Sequence, residues 1–355
     1  MRFNNRILQE AFLLSAQFRV INVQCLCANV RKYTTLPLRN CQKYQPPLLL
    51  RNGHLNTLYA YFNCKLKGPD YQREIMETGD GDFVELDWKR QGSASLIVLL
   101  HGLEGSSKST YIRRMAAMSA ELGWDVCALH HRSCGGKMNR LPTLYHSGYT
   151  RDLHEFLQLK TQKYQKVRIV GYSLGGNVLL KYLGDGIYPI PANVHSAVAV
   201  SVPVHLRGCA IELSKFSNRV YEIGFLRGLK RKMLKKSEIF PELISAKKVR
   251  AVKRLVEFDN EFTAPLNNFN NAWDYYDQSG SLRFLSNIQV PTLLINAKDD
   301  PMLSEASFPY EIAKNAKHFY FCATDYGGHV GFANLKESYY WIDKEIVDFL
   351  TDKKL

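Results

Sequence analysis

The sequence predicts an α/β protein: a mostly parallel central sheet flanked by helices, with a helical cap inserted late in the chain. Three observations carry this expectation. Four apolar, β-type runs alternate with helical runs between residues 96 and 201, the order that builds parallel strands joined by crossover helices. Residues 171–176 read Gly-Tyr-Ser-Leu-Gly-Gly directly after the run Val167-Arg168-Ile169-Val170. Two further strand-like runs follow residue 290, one leading into a pair of acids and the other into a glycine-flanked histidine.

The glycine-flanked serine marks a strand that turns at once into a helix. Such a turn strains the backbone at Ser173, and Gly171 and Gly175 lack the Cβ atoms that would clash beside it. It lifts the hydroxyl clear of the sheet edge, as in the nucleophile elbow of α/β-hydrolases, and aims the N–H of Leu174 at whatever Ser173 attacks. Asn177 to Leu183 continues with apolar residues at helical spacing, and Gly184 is the expected stop.

An elbow serine is inert without a base, and the base needs an orienting acid. In this arrangement the order along the chain is Ser, then Asp or Glu, then His. The strand Pro291-Thr292-Leu293-Leu294-Ile295-Asn296 runs into Ala297-Lys298-Asp299-Asp300-Pro301. Asp300 is the candidate acid, with Asp299 left to face solvent or to cap the loop. The strand Lys317–Cys322 is followed by Gly327-Gly328-His329-Val330-Gly331-Phe332, which makes His329 the candidate base. His54, His130, His131, His146 and His318 have no comparable setting. His130 and His131 form no metal spacing with Cys134. The strand Leu96–Leu100 leads into His101-Gly102-Leu103-Glu104-Gly105-Ser106-Ser107. The backbone N–H of Leu103 is the candidate partner of Leu174 in an oxyanion hole.

Further helices are expected over Tyr111–Met118, ending near Gly123, over Leu153–Leu159, and over about 336–351. The last should turn Tyr340, Ile342, Ile346, Phe349 and Leu350 towards the sheet. A helical cap is expected over about 204–280. Within 225–254 there are eleven Lys or Arg against Glu238 and Glu242. Leu226, Leu229 and Met233 recur there at helical spacing, as do Val249, Val252 and Leu255. The bland account is a solvated helix face over an apolar underside. The alternative is attraction to anionic membranes, as a peripheral association. Nothing accompanies the charge that would read nucleic acid.

The 355 residues, 46% hydrophobic, suffice for one large domain with a cap. The net charge is +14. Residues 1–45 carry seven Lys or Arg against Glu10 and read as a basic, unstructured extension ahead of a hydrolase domain over 46–355. A transit-like leader and a loose membrane-associating helix compete with that reading. No run of apolar residues is long enough to span a bilayer. Eight cysteines contain no Cys-x-x-Cys pair. Cys127 and Cys322 fall on buried strands as small apolar groups. The pattern fits a reducing compartment, so a cytoplasmic location is expected, with organelle targeting through the N-terminus as the alternative.

Taken together, these segments resemble the YheT-like esterases of bacteria and the related type 1, 2 and 3 α/β-hydrolase-domain proteins of eukaryotes. The resemblance spans about residues 45–350. It includes Gly53–Thr57, Gly81–Trp88, His131–Gly136, Tyr145–Gly148, Glu257–Asp259 and Phe262–Ala264, besides the loops already described. Ser133 stands where many relatives have glycine. The resemblance implies a serine carboxylesterase acting on hydrophobic esters, acylglycerols or phospholipids among them, with triad roles for Ser173, Asp300 and His329. Neither a cofactor nor a metal is required. Acyl transfer to an alcohol, and a non-catalytic lipid-binding protein on the same fold, are the competing functions.

Overall fold

The computed structural model describes Cys41 and residues 43–352. The extension expected over 1–45 therefore lies almost wholly outside the described residues. Eight strands form one sheet: β1 (Gln72–Glu77), β2 (Phe83–Lys89), β3 (Ser95–Leu100), β4 (Asp125–Leu129), β5 (Lys166–Tyr172), β6 (Val194–Val200), β7 (Thr292–Ala297) and β8 (Phe319–Thr324). Their order is β1-β2-β4-β3-β5-β6-β7-β8. From β4 to β8 every pair is parallel; β1–β2 and β2–β4 are antiparallel.

The central strands bury both faces, which is why they read as continuous apolar runs. Leu96, Val98 and Leu100 enter one core layer, while Ile97 and Leu99 enter the other. The α-helices of four or more residues are α1 (Gly53–Phe62), α2 (Thr110–Glu121), α3 (Arg151–Lys160), α4 (Leu174–Gly184), α5 (Leu206–Leu213), α6 (Arg219–Ile239), α7 (Ala246–Ala251), α8 (Leu255–Phe258), α9 (Ala272–Ser279), α10 (Tyr310–Asn315) and α11 (Trp341–Leu350). Ile112 and Met115 of α2 and Ile342, Ile346 and Phe349 of α11 cover the second layer. Val178 and Leu179 of α4 share the first layer with Leu226, Leu229 and Met233 of α6. Helices α5 to α9 stand between β6 and β7 as an insertion in the chain.

Several elements depart from the sequence expectation. The strand β2 gave no apolar run because Glu85 and Asp87 are buried in it, both paired with Arg73 of β1. The last helix starts at Trp341, not near 336, because the Asp343 carboxylate accepts the N–H of Tyr340 and fixes the helix start there. Val249, Val252 and Leu255 do not share one helix: α7 ends at Ala251 and α8 begins at Leu255. Cys322 is more than a small apolar group, since it is bonded to Cys41 and ties the segment before α1 to the edge strand β8. Cys127 is free and buried.

Helices α2 and α11 are locked by Arg114 and Asp343, whose Nε–Oδ2 separation is 2.7 Å with both side chains buried. The guanidinium also lies 4.0 Å from the centroid of the Tyr340 ring. Asp343→Ala leaves that cation buried and unpaired, so urea unfolding should show a loss of about 3–5 kcal/mol. A loss within experimental error would mean the pair does not hold the two helices.

Candidate active site

Strand β5 ends at Tyr172 and α4 begins at Leu174, so Ser173 alone makes the turn. Its backbone angles are φ 51° and ψ −120°, a region costing about 1–3 kcal/mol for a residue with a side chain. The Ser173 N–H donates to the Val200 carbonyl at 2.9 Å, which ties the elbow to β6. The helix lies so close to the neighbouring strand that a Cβ on Gly175 would sit 2.5 Å from the His101 carbonyl oxygen. On the other side, a Cβ on Gly102 would sit 3.1 Å from that of Ser173. The loop after β3 is thus pressed against the serine.

His329 bridges Ser173 and Asp300. Its Nε2 lies 2.9 Å from Ser173 Oγ and its Nδ1 lies 2.8 Å from Asp300 Oδ2. An ionised carboxylate only accepts, so Nδ1 carries the proton and Nε2 is free to accept from the serine hydroxyl. Asp300 is buried, and its other oxygen accepts the Met302 N–H at 2.9 Å. The histidine loop is held at every step. Gly328 N–H donates to Asp299 Oδ1, His329 N–H to Thr57 Oγ1, and Val330 N–H to Ser201 Oγ. Asp299 caps this loop and does not reach the imidazole. Burial raises its carboxyl to about 6, and its Oδ2 has no partner.

In the loop after β3, the N–H groups of Gly102 and Glu104 are taken by the hydroxyls of Tyr111 at 3.0 Å and Tyr145 at 2.7 Å. Leu103 lies between them and lines a cavity of ≈ 120 Å³ together with Ser173, Leu174 and His329. Leu174 opens α4, so the helix ladder offers its N–H no acceptor. The flanking His101 is structural. Its Nδ1 donates to the Gly102 carbonyl and its Nε2 accepts the His131 N–H. Burial, reinforced by His131, keeps it neutral.

Sequence reasoning missed what the cap contributes. Leu206, Phe225, Leu229 and Leu255 line the cavity. Into this apolar lining projects Asp259, from a π-helical turn over Asp259–Thr263. Its oxygens accept from Tyr276 Oη at 2.6 Å and Thr263 Oγ1 at 2.7 Å. The only signal was the pair of segments Glu257–Asp259 and Phe262–Ala264 in the family pattern. Lys232 of α6 reaches down to Glu104 Oε1 at 2.7 Å, in the loop after β3. Tyr145 Oη donates to the same oxygen at 2.9 Å. Ser133 has φ 63°, the left-handed region that favours glycine. Its hydroxyl accepts the Asn139 N–H and donates to Asn139 Oδ1. It is not among the residues lining the cavity.

A serine raised on a strand-to-helix turn and linked through histidine to a buried aspartate defines the serine-hydrolase class of this fold. Comparisons with known proteins bear on the fold and the family. The family profile for the alpha/beta hydrolase fold matches residues 95–334. The "Putative esterase YheT" of Escherichia coli (strain K12) is 34% identical over 311 residues, covering 84% of this chain and 90% of that protein. "Phospholipase ABHD3" of Mus musculus is 29% identical over 303 residues, covering 82% of this chain and 73% of that protein. Among solved structures, the Pyrococcus furiosus esterase PF2001 aligns with a TM-score of 0.53 at 17% identity, over 88% of this chain and 98% of that one, a likeness of fold. The chain belongs to the α/β-hydrolase family, in its YheT-like branch.

Asp259 makes a pH-dependent contribution to stability. Burial raises its carboxyl to about 6 from an ordinary 3.8, against the lowering effect of the Tyr276 and Thr263 hydroxyls. Between those values the native state binds more protons than the unfolded chain, so stability falls as pH rises through that window and levels off above it. Asp259→Asn stays neutral. It should be more stable than the wild type at pH 8, by about 2–3 kcal/mol at 1.36 kcal/mol per pH unit, and equal to it at pH 4. Equal melting temperatures at both pH values would show that the buried carboxyl carries no such penalty.

Proposed function

We propose that this chain is a serine carboxylesterase that hydrolyses hydrophobic carboxylic esters, with acylglycerols and phospholipids as the substrate classes to try first. The observation that carries the reading is the continuous hydrogen-bonded path from Ser173 Oγ through His329 to buried Asp300, opening into a mostly apolar cavity. The names of the bacterial esterase and the mouse phospholipase support the ester class.

An ester carbonyl placed in the cavity meets the Ser173 hydroxyl. As Oγ attacks, its proton passes to Nε2 of His329. Asp300 holds the Nδ1–H tautomer and stabilises the imidazolium that forms. The N–H groups of Leu103 and Leu174 receive the developing oxyanion. Loss of one such donor typically raises a barrier by about 2.7–4 kcal/mol. Collapse of the tetrahedral intermediate expels the alcohol, which takes the proton from His329. Water, deprotonated by the same imidazole, then attacks the acyl-enzyme and releases the acid and Ser173.

A second reading rests on the apolar cavity lining. Where water is scarce, an alcohol can take the acyl group in its place. Turnover with added ethanol separates the two, because transfer yields an ethyl ester and hydrolysis does not.

The first experiment is labelling with a fluorophosphonate probe, followed by p-nitrophenyl esters of increasing acyl length. Wild type should label and Ser173→Ala should not. Ser173→Ala should lose about 10⁴-fold or more in kcat with an unchanged melting temperature. Undiminished turnover in that variant would falsify the assignment. A folded wild type that neither labels nor turns over would favour the non-catalytic lipid-binding account. Asp300→Asn should lower kcat by about 10⁴-fold, whereas Asp299→Asn should leave kcat within a few-fold of wild type. The reverse order would move the acid's role to Asp299.

A further inference from the structure

Helix α6 has two working faces, and the cavity uses one of them. Phe225 and Leu229 line the cavity, and Leu226 and Met233 are buried in the core. On the outward side, Val220, Ile223, Arg227, Arg231 and Lys235 are all exposed. Their spacing of i, i+3, i+7, i+11 and i+15 puts them on one stripe of the helix. The stripe is apolar at its start and cationic beyond. Phe216, one turn before Val220, is 94% exposed; Val220 is 66% and Ile223 50% exposed.

Single exposed apolar residues are ordinary. Three in succession at the head of a cationic stripe are not, and they form the pattern of a helix that lies in a lipid interface. The other cations of α6 are committed elsewhere. Arg219 pairs with Glu222 and Lys232 with Glu104, while Lys230 and Lys236 donate to backbone carbonyls. Arg227, Arg231 and Lys235 have no acidic partner among the described residues. Glu238 is the one acid on the continuation of the stripe.

We propose that this face of α6, from Val220 to Lys235, together with Phe216 of the short 3-10 turn just ahead of the helix, docks the protein on an anionic lipid surface. Phe216, Val220 and Ile223 enter the acyl boundary, and Arg227, Arg231 and Lys235 lie against the headgroups. Three unpaired cations select an anionic surface, and the apolar head selects lipid over a hydrated polyanion such as a nucleic-acid duplex. Because Phe225 and Leu229 on the opposite side line the cavity, docking sets one wall of the candidate active site directly above the lipid. Binding is read without any ester being cleaved, so this proposal stands or falls independently of the esterase reading.

The test is co-sedimentation of the full chain with phosphatidylcholine vesicles, with and without phosphatidylserine. Two triple variants are compared: Phe216→Ser/Val220→Ser/Ile223→Ser, and Arg227→Gln/Arg231→Gln/Lys235→Gln. Circular dichroism establishes that each is folded. The wild type should prefer the anionic vesicles and be released by salt. Neutralising the three cations should weaken anionic binding by roughly a hundredfold, at about 1 kcal/mol per cation. The serine variant should lose binding to both kinds of vesicle. Absence of wild-type binding to anionic vesicles overturns the proposal. So does full binding by both folded variants, which would assign the interaction to another surface or to residues 1–40.

Discussion

Ser173 alone carries the turn between β5 and α4, and the rest of the site depends on how that turn is held. A residue with a side chain does not rest at φ 51° and ψ −120° unless its surroundings over-determine it. Here β6 grips the Ser173 N–H, α4 begins without a spare residue, and the loop after β3 closes to within contact of the serine. This crowding fixes the distances that matter. The hydroxyl and the imidazole meet, and Leu103 and Leu174 line the same cavity, because the helix and the strand ends around the serine leave little room.

The imidazole is placed with equal economy of motion. The histidine loop is held by Asp299, Thr57 and Ser201, from three separate parts of the chain. None of these side chains hydrogen-bonds to the imidazole ring. They act on the backbone, so His329 arrives beside Ser173 already oriented by Asp300. The division of labour between two adjacent acids follows from direction alone: Asp300 points to the ring, and Asp299 points to the loop.

The parallel sheet and the elbow were legible because both are written locally. Buried strands such as Leu96–Leu100 read as apolar runs, and a strand-to-helix turn demands glycines at fixed offsets. Asp299 and Asp300 could be told apart only by a weak positional argument, since one residue of register decides which carboxylate faces His329. The strand β2 was illegible because its buried Glu85 and Asp87 are made tolerable by Arg73, a partner on the edge strand β1 that no periodicity reveals. Asp259 was equally hidden. A buried carboxyl is signalled by Tyr276 and Thr263 only once the chain has folded. The crosslink from Cys41 to Cys322 joins positions separated by 281 residues, a distance over which spacing carries no information.

The ion pair between Lys232 and Glu104 makes the cap and the floor of the cavity mechanically one piece. Glu104 follows Leu103, has φ 56°, and gives its own N–H to Tyr145. Were α6 to lift away, Glu104 would lose its cation and the strained residue beside Leu103 would be freed to relax. Separating α6 from this loop would therefore disturb the backbone beside Leu103, on the floor of the cavity. The cap and the loop beside Ser173 respond together to whatever breaks this half-buried salt bridge.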